Sequence, residues 1–378
     1  SLNYTWKIDE KSALSTNVYG AYGYGGGYSG KADDNEYSEY DWYSTDFGVL
    51  NMKFRKDDGT YDYSKIEDIN RSSAVGSKLI MTQQVGTQSW CGLSSTYTTS
   101  FLDHLDFQAG IDVRKYKNGH VNQIIDLFSG QYYIDPCRSE VNSSNNSLAT
   151  SEWKNAHLGI GDVAYRDYDT HIMQGGAFVQ IEYSGNSINA FLAGSLSHTT
   201  YWKYDRLYYD AEHARSQNIG FLGGTAKGGI NWNIDRHSNL FMNVGFISRA
   251  PQFKSGAFMS PTSSNVTNKL AKNEKSATME IGYGYHSDYV AFNACAYFTE
   301  WMDKSMTKKG KITEQYYINM TGVNSRHMGL EFELKSTPAN WIELGAMLSV
   351  GDWKWDSDKV KGYAYNVAGQ AISSSGAI

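Results

Sequence analysis

Side chains suited to gripping a solute are gathered in a few stretches of this sequence. Tyr37, Tyr40, Trp42 and Tyr43 stand together, as do Tyr132 and Tyr133. Tyr201, Trp202, Tyr204, Tyr208 and Tyr209 form a third group, Tyr316 and Tyr317 a fourth, and Trp353 and Trp355 a last one. Tyr and Trp offer flat apolar area with a polar handle and lose little conformational entropy on binding, so these groups are candidate ligand contacts; loop packing and an interfacial girdle are the competing uses. Catalytic patterns are missing, since no GxSxG, HExxH or P-loop occurs, and no enzyme activity is expected. The nine His are scattered; His198 and His213 have the chemistry of metal or haem ligands, but an isolated His on a strand or loop reads as a surface residue. In "KADDNEYSEYDWYSTDF" the carboxylates Asp33, Asp34, Glu36, Glu39, Asp41 and Asp46 crowd as calcium ligands do, without EF-hand spacing, which favours a solvated acidic loop. Cys91, Cys137 and Cys295 lie far apart with no zinc-type spacing, so neither metal nor cofactor is expected.

The elements that carry these groups read as strands. The 378 residues include 29 Tyr, 10 Trp, 15 Phe and 37 Gly but only 4 Pro, a mixture that suits many strands joined by tight turns. A period of two recurs along the chain. In "NLFMNVGFISRAPQF" Leu240, Met242, Val244 and Phe246 alternate with Asn243, Gly245 and Arg249, and in "FLGGTAKGGINWNI" an apolar or small set alternates with Thr225, Lys227, Asn231 and Asn233. The same rhythm sets Phe107, Ala109, Ile111 and Val113 against Asp112 and Arg114, Val179 and Ile181 against Glu182, and Met279 and Ile281 against Glu280. It places Leu330, Phe332 and Leu334 opposite Glu331 and Glu333, and Ile342 and Leu344 opposite Glu343. Each segment is about 9 to 12 residues, the length a tilted strand needs to cross a bilayer. A mean hydropathy of -0.52 and the lack of any long apolar run rule out spanning helices but not a membrane barrel, whose strands dilute hydropathy by alternation. With a net charge of -6, nothing global attracts nucleic acid.

Connections fall into two kinds. Short polar turns stand at 9–12, 102–104, 184–187, 235–238, 286–288 and 337–339. Long aromatic stretches, roughly 25–88, 119–172, 204–218, 250–275 and 302–318, lie between them. Short turns on one side and long loops on the other describe an outer-membrane barrel, with Tyr183, Trp232, Tyr285, Tyr289 and Trp341 as a girdle at the turn side. Packed β-sandwiches would alternate too, but the second face here mixes charge with Gly, Ser and Asn, as small residues facing an occupied interior would. A charge facing lipid near the midplane costs roughly 2 to 4 kcal/mol, so Asp112, Arg114, Glu182, Lys227, Glu280, Glu331, Glu333 and Glu343 are expected to point into the lumen.

The C-terminal part resembles a known family. Gly245, Phe246, Arg249, Ala250 and Pro251 form a corner; Asn273, Glu274, Glu280, Gly282 and Tyr283 follow, then Trp301 and Asp303, and finally Gly322, Gly329, Glu331 and Glu333. In order and spacing these are similar to the barrel of TonB-dependent outer-membrane receptors. The resemblance is sharp over about 239–355 and rests on pattern upstream. It implies an all-β, antiparallel transmembrane β-barrel of about 22 strands around an N-terminal plug. About twelve strands are read here, with the start of a thirteenth at "GYAYNVAGQAI". With no plug, no TonB box and an end at "SSSGAI", residues 1–378 are expected to be a partial barrel domain from a longer receptor. The resemblance further implies capture of a scarce solute (iron chelate, haem, vitamin, peptide or glycan) at external loops and its import with energy from TonB and its inner-membrane complex. The lumen charges are then plug contacts, a surface lipoprotein is a possible partner, and lipid and lipopolysaccharide of the bacterial outer membrane surround the barrel. A passive porin-like channel and a secreted glycan-binding protein are the alternatives.

Overall fold

The structure, a computed structural model, describes residues 1–33, 36–46, 49–139, 141–259, 265–311, 315–358, 360–366 and 376–377. Fourteen strands form one antiparallel sheet. They are β1 (Leu2–Lys7), β2 (Ser12–Ala32), β5 (Leu79–Leu102), β6 (Leu105–Asp126), β7 (Val163–Ser184), β8 (Ile188–Asp205), β9 (Ile219–Asn233), β10 (Ser238–Arg249), β11 (Glu274–His286), β12 (Val290–Lys311), β13 (Gln315–Ala339), β14 (Ile342–Trp355), β15 (Lys361–Asn366) and β16 (Gly376–Ala377). Strands β3 (Thr45–Asp46) and β4 (Val49–Leu50) make a separate small ladder inside the first long loop. Neighbours in sequence are neighbours in the sheet, the up-and-down order that short turns and long loops require. One expectation changes at the far edge. β15 pairs with the upper half of β13, on the side where β14 pairs with the lower half, so "GYAYN" prolongs the twelfth strand. The thirteenth begins at β16, which pairs with β15; the rest of "GYAYNVAGQAI" lies outside the described residues.

Strands are longer than the sequence rhythm predicts: β5, β6, β7, β12 and β13 have 24, 22, 22, 22 and 25 residues. Alternation of apolar and polar residues marks only the part of a strand with lipid on one face. On β6 it ends where Lys115 and Lys117 join the outward set, and on β14 where Asp352 and Lys354 do. Beyond that level the strands run on, so the expected loop 302–318 is mostly the β12–β13 hairpin, and the two longest loops shrink to 33–78 and 127–162.

The outer face is bare. Leu192, Leu196 and Leu222 are 67%, 67% and 68% exposed, and Ile281 is 51% exposed, with no second layer over them among the described residues. That excludes a sandwich, whose apolar face would be covered. Tyr183, Trp232, Tyr285, Tyr289 and Trp341 stand exposed at the turn side. On the opposite face the glycines are not merely small. The ring of Phe241 occupies the space a Cβ would need at Gly282, Phe191 does so at Gly229, Phe178 at Gly110 and Tyr19 at Gly92. Each is an aromatic from the neighbouring strand laid across a glycine, which covers the gap the missing side chain leaves.

Buried apolar clusters sit in the loops at the long-loop side. Ala32, Trp42, Phe54, Ile66, Leu79 and Phe128 form one, under helix α1 (Tyr63–Ser72), an element the period-two reading did not foresee. Asp62 caps that helix by accepting from the Lys65 amide, and Asn70 pins it by donating to the carbonyls of Leu79 and Leu127 at 2.7 and 2.8 Å. Ile80, Ile124, Leu127, Tyr133, Leu158 and Ala164 form a second cluster, and Tyr201, Ala257 and Phe258 a third.

Candidate vestibule and lumen face

Register places all eight predicted lumen charges on the concave face. One row across the sheet runs Asp106, Glu182, Phe191, Gly229, Asn243, Glu280, Tyr297, Gly329 and Gly351, each opposite the next. Asp112, Arg114, Lys227, Glu331, Glu333 and Glu343 share that face in neighbouring rows. A hollow of about 560 Å³ includes Gln180, Glu182, Asn189, Lys227, Asn231 and Asn243, a polar wall that a second domain would satisfy. Gln180 donates to Glu182, and Asn239 donates to Asn231 at 2.6 Å. Among the described residues no ion pair uses Lys227, Glu280, Glu331, Glu333 or Glu343. Six of the eight are carboxylates, so this lower face is acidic and open to a basic partner.

Above the lipid level the same face changes character. A cavity of about 390 Å³ is walled by Tyr116, Asn118 and His120 of β6, Arg166, Tyr168, Thr170 and Ile172 of β7, and Lys203 of β8, and roofed by Phe253, Lys254, Phe258 and Met259 from the loop after β10. The roof is held by the third loop cluster: Tyr201 donates to the Pro251 carbonyl at 3.0 Å, and Phe253 stacks on Phe258 with centroids 4.7 Å apart. Lys203 lies over the Tyr168 ring at 4.3 Å and 3.4 Å from Asp205. Burial pushes Lys203 down and Asp205 up, both toward the uncharged form, while their contact opposes it. His120 packs on Tyr168, and burial, with Arg166 and Lys203 adding repulsion, lowers it to about 4. Lys254 is also lowered, by burial and then by Arg166. A second hollow, of about 530 Å³, gathers Trp301, Trp353 and Trp355 with Arg249, Ser325 and His327, and there Trp353 donates to the Tyr297 hydroxyl at 2.9 Å.

The sequence placed its ligand aromatics in loops, and the structure redistributes them. Trp42, Tyr133 and Tyr208 are buried at 1%, 1% and 4% exposure and are loop core rather than ligand surface. Tyr37 and Tyr43 pack against the first cluster, and Tyr132 stacks on His157 at 3.6 Å. Trp202 and Tyr204 alternate to the outer side, where Trp202 stacks on His171 at 4.9 Å. Tyr209 accepts from the Asn265 amide, Tyr317 is half-buried in the β12–β13 hairpin, and Trp353 and Trp355 are exposed on the concave face. Asp34 lies outside the described residues, as do the side chains of Tyr40, Asp46 and Tyr316. Of the acidic stretch, Asp33 pairs with Lys78 at 2.7 Å, Glu39 with Lys31 at 2.6 Å and Asp41 with Lys53 at 3.4 Å, so lysines rather than solvent balance it. His198 points outward from β8, and His213 bonds Asp210 at 2.7 Å. Among the described residues no group of three or more metal-ligating side chains occurs.

Sequence reasoning missed Tyr116, His120, Arg166, Tyr168, Lys203 and Lys254. Their signal was present as the inward set of β6, β7 and β8, continued past the last lipid-facing residue. It also missed Asp135, which is wholly buried between loops: it accepts from the amides of Cys137 and Tyr165 at 3.0 and 2.9 Å and from the Tyr208 hydroxyl at 3.4 Å. Burial pushes its carboxyl up. Arg249 ends β10 at the corner. It turns inward and bonds buried Glu274 at 2.8 Å, and Glu274 also accepts from the Ser305 amide.

A family model described as TonB dependent receptor-like, beta-barrel matches residues 1–377. Among solved structures, the copper transporter OprC superposes with a TM-score of 0.61 at 12% identity, over 95% of this chain and 49% of that one. The ferric citrate transporter FecA in its unliganded form gives 0.57 at 9% identity over 96% and 45%. FpvA of P. aeruginosa bound to heterologous pyoverdines gives 0.53 at 11% over 96% and 42%. At such identities the likeness is one of fold, and the chain spans about half the length of these proteins. No curated protein sequence matches it. An up-and-down sheet greasy outside, polar within and looped on one side accords with a family match that covers nearly every residue: the chain belongs to the TonB-dependent receptor β-barrel family of bacterial outer-membrane proteins.

Proposed function

We propose that the chain is the barrel wall of an outer-membrane active-transport receptor that binds a scarce solute in its outer vestibule and imports it with TonB-coupled energy. The observation that carries this reading is the division of the concave face at the lipid level. Below it, carboxylates and amides line a lumen suited to a plug; above it, aromatic and cationic side chains enclose cavities of solute size. The fold fixes no substrate, and iron chelate, haem, vitamin, peptide and glycan remain the solute classes in play. Residues 1–378 form part of the barrel, with a plug and further strands completing it, since an open sheet edge in hydrocarbon leaves amides unpaired. TonB is the energy partner, a surface lipoprotein is a candidate delivery partner, and lipid and lipopolysaccharide contact the greasy face.

Uptake tests this. Cells carrying the full receptor as their only route for each solute should grow on at least one scarce source, and growth should vanish when TonB is deleted or the proton gradient is collapsed. Uptake indifferent to both, or a steady ohmic conductance of the purified protein in planar bilayers, would replace the receptor with a passive channel.

A further inference from the structure

The upper cavity between β6, β7 and β8 has a charge imbalance that its own walls do not resolve. Arg166 and Lys254 converge on it with His120, no carboxylate is among its lining residues, and Lys203 beside them is matched by buried Asp205, which also accepts from the amides of Leu207 and Tyr208 at 3.0 and 2.9 Å. Asp169, which lies opposite Gly119 beside His120, alternates outward and is bound there by Lys117 and Arg206 at 2.9 and 2.8 Å. Among the described residues no carboxylate pairs with Arg166 or Lys254. Two cations held near one another in a part-enclosed site repel, a cost that an anion between them turns into attraction. The rest of the lining is flat and apolar, with Tyr116 on the wall and Phe253 in the roof.

We propose that this cavity receives the anionic part of the solute: a carboxylate- or phosphate-bearing ligand whose charge meets Arg166 and Lys254 and whose flat portion lies against Tyr116 and Phe253. The inference rests on the reading of the outer vestibule as the place of capture. It narrows that reading to acidic solutes and assigns the Trp301, Trp353 and Trp355 hollow no share of the charge. Arg offers a planar fork and Lys a point charge, so together they accept either oxyanion.

Benzene-1,3,5-tricarboxylate, flat and trianionic, is a suitable probe, with 1,3,5-tris(hydroxymethyl)benzene as its neutral counterpart. Titrated calorimetrically into the full receptor in detergent, the tricarboxylate should bind and the triol should not. Arg166→Gln and Lys254→Gln should each weaken binding by about tenfold, as loss of one charge-assisted contact does, while Arg166→Lys holds it within about threefold. Leu222→Ala, on the bare outer face, should leave it unchanged. Retained heat-modifiable migration on gels shows that each variant still forms its barrel. Equal binding of both probes, or tricarboxylate binding untouched by both Gln variants, overturns the anion site. TonB-dependent uptake that proceeds normally in the Gln variants overturns it too while leaving the transport reading intact, whereas anion binding without any TonB-dependent uptake does the reverse.

Discussion

At the scale of single residues, His120 is the group whose behaviour the surroundings fix most sharply. Arg166, Lys203 and Lys254 face it across the cavity, Tyr168 packs on its ring, and Asp169 on the adjacent strand pulls the other way. Its value of about 4, against 6.5 for the ordinary imidazole, means that the unfolded or opened strand end binds a proton more readily than the closed one. The closed arrangement is therefore fully favoured above about pH 6.5 and loses ground as the pH falls toward 4. Amide exchange, corrected for intrinsic rate, should show protection along Tyr168–Lys203 declining over that window, and His120→Phe should flatten the decline. Protection that stays level or rises on acidification would mean that the ring is not held neutral. None of this was legible in the sequence, where His120 is one of nine scattered His; its meaning comes from cations contributed by two other strands and a loop.

Among the elements, strand identity was legible and strand extent was not. Lipid writes a period of two on Phe107–Val113 and Leu240–Phe246 because it rejects charge from one face only. Above the lipid both faces meet water or protein, the pattern fades, and β12 and β13 continue unannounced. The glycines of the concave face were legible as small, but not as niches for rings on the next strand. Gly282 illustrates what that niche does. Phe241 lies across it, and the Ala294 carbonyl is 2.9 Å from where a Cβ would be, so Gly282→Val must expel the ring or spread β11 from β12. Overpacking of this kind costs about 1 to 3 kcal/mol. Thermal loss of heat-modifiable migration should shift to lower temperature for Gly282→Val and shift back in the double variant with Phe241→Ala. An unchanged midpoint for the single variant, or a double variant worse than the sum of the two, would remove the ring from that role.

For the whole molecule, the sheet separates two media, and two of the three cysteines already lie on its opposite faces. Cys91 pairs opposite Gly20 and Lys115 on the outward set near the upper edge of the lipid level, while Cys295 lies opposite Glu331 on the concave face. What the sequence conveyed here was the sidedness, because the eight lumen charges and the bare leucines sit where alternation put them; it could not convey which aromatics face the vestibule, since that depends on which loops fold back onto themselves. Sidedness is directly measurable. In a receptor whose native cysteines are all replaced by serine, single cysteines at Leu192, Ile281 and Leu330 should carry a fluorophore quenched by brominated lipid and shielded from iodide. Cysteines at Lys227 and Glu331 should give the opposite result, and their labelling should slow when the plug is present, because the acidic lower face is then covered. Iodide quenching at Leu192 or Ile281, or lipid quenching at Glu331, would require the two faces to be exchanged, and with them every assignment of lumen and vestibule made from register.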